Sequence, residues 1–294
     1  MKLQGMYAAA ATPFDHSGQV WRVKVQHNFD KWSRTSLAGF VVGTLAGEGP
    51  LLEPDEKIEL LRVAREATPA ERTMILDVSC DGVHVAGKLA RRAAEAGADA
   101  VVCVVPHEYR NMMSGPETQA LFYRALADQS PVPVILHNAP LITSVDLGAE
   151  TVAELSQHPN IAGIIEAGWS ATRVTHLRSL VRKEFAVLAG LESQVWESLK
   201  AGASGAVLPF ASAAPYATIA VWEAFRTREE EAGVDWQARI THPGSLVTDV
   251  YGVAGLKYAM DLNGYYGGPP RLPFVPVSAD ARREIEEAFR DLKG

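Results

Sequence analysis

The chain has 294 residues, 47% of them hydrophobic and 21% charged, with a formal net charge of -7. That composition supplies an ample core and excludes a disordered chain, and the length suits a single α/β barrel domain. The acidic balance, without a dense Lys/Arg cluster, excludes nucleic acid as an expected partner.

The N-terminus, Met1-Lys2-Leu3-Gln4-Gly5, leads into a strand-like run without a signal h-region. No apolar run approaches the ~18 residues of a membrane span, so a cytoplasmic protein with no membrane partner is expected. Short apolar runs follow at residues 7–11, 39–42, 74–78, 100–105, 132–136, 161–165, 186–189 and 205–208. Between them lie amphipathic stretches, among them 55–67, 83–96, 118–129, 149–157 and 193–201, with apolar residues at helical spacing.

This alternation predicts about eight βα units and a parallel sheet. Gly97-Ala98-Asp99-Ala100 and Gly202-Ala203-Ser204-Gly205 read as helix C-caps passing directly into strands. No Gly-x-Gly-x-x-Gly follows the first strand and no phosphate loop is present, so a closed barrel fits better than a nucleotide-binding doubly wound sheet.

After the eighth run the pattern is helical over 213–232, 236–262 and 279–292. The expected organisation is a (β/α)8 TIM barrel over residues 1–211, with a helical extension over 212–294 packed on it as one structural unit. Glu229-Glu230-Glu231, at the end of the first of these helices, reads as a solvated face. Cys80 and Cys103 sit in or beside apolar runs and read as buried free thiols of a reducing compartment.

Six segments in order, Ala11-Thr12-Pro13-Phe14, Gly43-Thr44-Leu45-Ala46-Gly47-Glu48, Leu52-Glu53-Pro54-Asp55-Glu56, His137-Asn138-Ala139-Pro140, Gly163-Ile164-Ile165-Glu166 and Tyr265-Tyr266-Gly267-Gly268-Pro269, span nearly the whole chain. Together they resemble the dihydrodipicolinate synthase and N-acetylneuraminate lyase family, most closely its 4-hydroxy-2-oxoglutarate aldolase branch. The resemblance implies a lyase or aldolase on a (β/α)8 barrel, its site at the C-terminal strand ends, assembled as a homodimer or homotetramer. It further implies that the family's Schiff-base lysine falls on Ile165 and its relay tyrosine on His137. The family's second tyrosine has no direct equivalent, since the chain reads Pro106-His107-Glu108-Tyr109, and its carboxylate-binding Arg or Asn falls on Ile142. One extra residue enlarges the carboxylate-binding turn, where Thr44 keeps one hydroxyl.

An isobutyl-like side chain cannot form an imine or act as an electron sink. None of the lysines falls at the end of a predicted strand, and Lys257 reads as a structural ion pair. Polar residues gather at strand ends instead: Asp77, Ser79 and Asp81, then His107 and Glu108, then His137 and Asn138, then Glu166. In a barrel such positions converge.

Three readings of this set stay open. His137 acts as general acid or base with Asp77 or Glu166 orienting it; or His and carboxylates hold a divalent metal as electron sink, the one cofactor considered; or these are hydrogen-bonded pocket residues of a non-catalytic binding or regulatory homologue. The substrate-lining positions expected are Thr44, Leu45, His107, Glu108, Tyr109, Ile165 and Leu208, for a small 2-oxo acid or related carboxylate. Trp169, just past a strand end, is a further candidate, whereas the other tryptophans read as packing residues.

Overall fold

A computed structural model describes residues 1–168 and 170–292. Eight parallel strands form a closed barrel in sequence order: β1 (Gly5–Ala9), β2 (Gly39–Val42), β3 (Thr73–Asp77), β4 (Ala100–Val104), β5 (Val134–Asn138), β6 (Ile161–Glu166), β7 (Ala186–Ala189) and β8 (Gly205–Leu208). Each strand pairs with its successor and β8 closes on β1. The strands are apolar on both faces because one face packs on the helices and the other fills the barrel.

The two faces separate into two clusters. Tyr7, Val41, Ile75, Val102, Ile135, Ile165, Leu188 and Val207 interlock inside the barrel, while Phe40, Leu76, Val101, Leu136, Ile164 and Leu208 join the helices outside. Alternation with period two thus decides which residues can reach a site at the barrel mouth.

The expected strand runs and the strands coincide at β2, β7 and β8. At β5 the strand begins and ends two residues later than the run 132–136, so His137 and Asn138 are strand residues. The C-terminal helices divide differently from expectation. Helix Pro215–Thr227 ends at Arg228, which adopts a left-handed conformation, and the next helix, Glu230–Ser245, runs straight through the expected break at 232–236.

Gly233 interrupts the sequence pattern for a packing reason rather than a turn. A Cβ there would lie 2.1 Å from Trp196 Cζ3, so only glycine lets this helix close on that ring. Glu230 and Glu231 consequently open a helix, where their charges favour the positive end of its dipole.

Helix Glu230–Ser245 carries Pro243 near its end and passes into a π turn, Leu246–Val250, before helix Gly252–Leu262. Helix Pro215–Thr227 lies against β1 and continues the outer layer. Among the described residues, no helix is long and apolar enough to cross a membrane.

Candidate active site

The C-terminal ends of the strands surround a cavity of about 240 Å³. Its floor and walls include Ala9 at the end of β1, Ile165 of β6, Val102 of β4 and Val207 of β8, all on the inner face. The π turn roofs it, contributing Val247, Thr248 and Asp249, with Gly252, Val253 and Leu256 beside them. Turns of this rare kind recur at functional sites because they re-aim side chains within an otherwise regular helix.

Opposite β6 in the ring stands β2, whose following turn supplies Thr44, Leu45 and Ala46. The turn is a short 3-10 helix, Leu45–Gly47, so its first N–H groups have no partner within it. Its shape depends on Gly49, where a Cβ would lie 1.8 Å from the Gly43 carbonyl oxygen. The Thr44 side chain is buried, 7% exposed as a residue, and its hydroxyl has no hydrogen-bond partner in the structure. An orphaned buried hydroxyl at a cavity wall is a position where a ligand's polar atom can complete the pairing.

His137 lies in register with Ile165, so both are neighbours on the inner face. It also lines a second cavity, of about 270 Å³, shared with Asp77, Ser79, Asp81, His107, Glu108 and Lys57. Burial lowers the His137 pKa below the ordinary imidazole value, and the nearby Asp77 charge opposes that shift. Asp77 is itself ordered by the Ser79 N–H, which donates to its Oδ1 at 2.7 Å. Asp81 accepts from the His107 and Glu108 N–H groups at 3.1 and 2.8 Å, tying the loop after β4 to the loop after β3.

Lys57, which sequence reading passed over because it lies on a helix, is buried in this second cavity, its Nζ 3.4 Å from the Asp77 carbonyl oxygen. A helical lysine four residues past a turn carries no sequence mark of such a position.

Three expected site residues stand elsewhere. Glu166, one residue past Ile165, faces the opposite side of the barrel wall. There its carboxylate accepts from Arg173 Nε at 2.8 Å and from Asn138 Nδ2 at 3.0 and 3.1 Å. Burial raises its pKa while Arg173 opposes the shift, and the group braces the helix layer rather than orienting His137. Leu208 is likewise outward, and its neighbour Val207 holds the inner position. Tyr109 is 70% exposed and lines neither cavity, because it sits just before the short helix Arg110–Met113 on the surface. Trp169 lies outside the described residues.

Thr44, Leu45, His137 and Ile165 meet at the first cavity; Leu45, Asp77, His107, Glu108 and His137 meet at the second. Ile142 lines both, leaving that side of the mouth apolar. Among the described residues, no group of three or more His, Cys, Asp or Glu stands close enough to share a metal ion.

One carboxyl escaped sequence reading. Glu192, just after β7, lines the first cavity at 6% exposure, and its Oε1 accepts from the Phe210 N–H at 3.2 Å. Burial pushes its pKa up to about 7, the N–H donors oppose that, and the Asp249 charge adds to it. A carboxyl poised near neutrality inside a cavity can give or take a proton. Its only sequence signal is its place directly after a strand.

Fold and site together define a (β/α)8 barrel whose inner side chains converge on a cavity at the C-terminal face, the place where such barrels carry their chemistry. The chain belongs to the dihydrodipicolinate synthetase family, whose model matches residues 2–292. It is 33% identical to 4-hydroxy-tetrahydrodipicolinate synthase of Stenotrophomonas maltophilia, over 99% of this chain and 97% of the relative. It is 30% identical to the synthase of an Exiguobacterium strain, over 97% and 96%. The crystal structure of a dihydrodipicolinate synthase from Bacillus anthracis superposes with a TM-score of 0.95 at 24% identity, covering 100% of both chains.

Proposed function

We propose that the protein is a lyase-type member of its family that acts on a small 2-oxo acid without a lysine Schiff base. The observation carrying this reading is Ile165: the inner-face residue of β6 at the centre of the cavity is an apolar side chain, and no lysine lines that cavity among the described residues. The relatives' names support a lyase, and the sequence motifs support the 4-hydroxy-2-oxoglutarate aldolase branch.

The residues present suit acid–base work. A carboxylate fits the Thr44 turn, where the orphan hydroxyl and the leading N–H groups donate hydrogen bonds. His137, neutral at pH 7 because burial lowers its pKa, takes the proton from the carbon next to the carbonyl. The electron pair moves into the carbonyl, and the resulting enolate is reprotonated at carbon by the His137 imidazolium, which exchanges its proton with solvent. Asp77 stabilises the imidazolium formed, acting through its charge.

Exposed apolar side chains, Leu141 and Ile142 at the cavity mouth and Tyr109 and Met112 on the surface turn after β4, support a homo-oligomer. The experiment is twofold: borohydride trapping with pyruvate and 4-hydroxy-2-oxoglutarate, followed by intact mass, and proton NMR of hydrogen–deuterium exchange at C3 of the same acids. Exchange without an adduct, abolished by His137→Ala, is expected. An adduct on any lysine overturns the reading, and neither exchange nor adduct favours a non-catalytic binding protein.

A further inference from the structure

The first cavity is acidic and lacks a counter-charge. Its titratable lining groups among the described residues are His137, Glu192 and Asp249, and no Lys or Arg lines it. Glu192 has one carboxylate oxygen committed to the Phe210 N–H, which leaves the other for a ligand. Asp249 reaches the rim from the π turn, where Ser245 Oγ donates to its Oδ2 at 3.1 Å, and its charge acts on Glu192.

Among the described residues, the other groups packed on Glu192 carry no charge. Gly244 packs on the Glu192 Cβ, and the Gln237 amide donates to the Glu192 carbonyl oxygen. Between these carboxyls and the unpartnered Thr44 hydroxyl the walls are apolar, with Val102, Ile165, Val207, Val247 and Leu256 facing inward.

A substrate with a second carboxylate would place it against Glu192 and Asp249 with no cation to compensate. An ammonium group is matched on both counts, since it donates to the free oxygen of Glu192 and cancels the local charge. Resting on the carboxylate-binding reading of the Thr44 turn, we propose that the far end of the substrate carries an ammonium group held by Glu192 and Asp249. The protein thus favours amino-substituted 2-oxo acids over dicarboxylates, 4-hydroxy-2-oxoglutarate included, which bind more weakly at the same site.

The selection has a proton signature. Glu192, held at about 7 by burial, ionises when an ammonium arrives beside it, so binding below neutral pH releases protons. A dicarboxylate produces the opposite, since it favours the protonated carboxyl.

The test is isothermal titration calorimetry at pH 6.5 in two buffers of different ionisation enthalpy, with 4-aminobutanoate, 4-hydroxybutanoate, succinate and 4-aminobutanamide as probes. The expected result is that 4-aminobutanoate binds about tenfold or more tightly than succinate. Its binding should release protons, and Glu192→Gln should abolish that release. Asp249→Asn, at an exposed position that should not disturb folding, is expected to narrow the preference.

Equal or tighter binding of succinate, binding of 4-aminobutanoate without proton release, or binding of none of the probes overturns the proposal. None of these probes can form an imine or turn over, so the ranking is independent of the trapping experiment. If 4-aminobutanamide binds as tightly as 4-aminobutanoate, the ammonium site stands and the carboxylate-binding reading of the Thr44 turn falls.

Discussion

Lys257 Nζ lies 2.5 Å from Glu48 Oε1, and the two side chains are 1% and 0% exposed. The pair joins helix Gly252–Leu262 to the turn that carries Thr44, and Lys257 also donates to the Pro269 carbonyl oxygen at 3.0 Å. Glu48 holds a left-handed backbone conformation there, and its Oε2 accepts from the Arg271 N–H at 2.7 Å. The C-terminal extension therefore clamps the cavity turn from behind.

Removing one partner should expose the value of that clamp. Lys257→Ala leaves a buried carboxylate without its cation, a change that costs about 3–5 kcal/mol. Urea denaturation is the check, and a loss below about 1 kcal/mol would show that water reaches Glu48 and replaces the amine.

Stability should depend on pH through Glu192. The native carboxyl keeps its proton up to about 7, whereas the unfolded chain releases it near 4.5. The group's stabilisation is full below pH 4.5 and is lost as pH rises through about 7, by about 3 kcal/mol at about 1.36 kcal/mol per pH unit. Glu192→Gln should flatten the stability curve between pH 5 and 8, measured by chemical denaturation. A variant with an unchanged slope would place the titration on another group.

His137 should titrate below the ordinary imidazole value of 6.5, since burial disfavours its charged form. Asp77→Asn removes the charge that opposes this, so the His137 pKa should fall further. NMR titration of the imidazole resonances reads both, and an upward shift in the variant would contradict the coupling.

Gly233→Ala sets two effects against each other. In a solvated helix the change gains up to about 1 kcal/mol. Here the new Cβ would stand 2.1 Å from the Trp196 ring, and relief of such overpacking costs about 1–3 kcal/mol. A net loss and a lower Tm are expected; a rise would mean that the indole has room to move.

Ile165→Lys would place an amine in the cavity, on the inner face of β6. The ammonium would be buried among Val102, Ile135, Leu188 and Val207, so its pKa should fall towards neutrality. The expected outcome is a borohydride-trappable adduct with pyruvate, absent from the parent protein. Failure to trap any adduct would show that the cavity no longer admits the 2-oxo acid.

Much of the architecture was legible in the sequence, because strand and helix each impress a local period on the chain. The runs at 39–42, 186–189 and 205–208 became β2, β7 and β8 residue for residue. The pairing of Lys257 with a carboxylate was also anticipated, although its partner, 209 positions earlier in the chain, was not. The misplaced break at 232–236 has a different origin: a glycine selected by contact with Trp196 looks, in one dimension, like a glycine selected for a turn.

The site divides along the same physical line. Residue type and order alone determined that the chain forms a parallel α/β barrel, that its strand ends carry His137 and Asp77, and that an apolar residue, Ile165, stands where the family resemblance implies an amine-bearing side chain. Only the tertiary structure decided which of these groups share a space. Alternation placed Ile165 and Val207 inside and Glu166 and Leu208 outside, and an error of one residue in reading that parity moves a side chain across the barrel wall. Barrel closure and the π turn brought Thr44, Glu192 and Asp249 to one cavity from three distant segments, and burial then moved the Glu192 pKa to about 7. Periodicity is a property of neighbours along the chain, whereas convergence and desolvation depend on contacts that exist only once the barrel has closed.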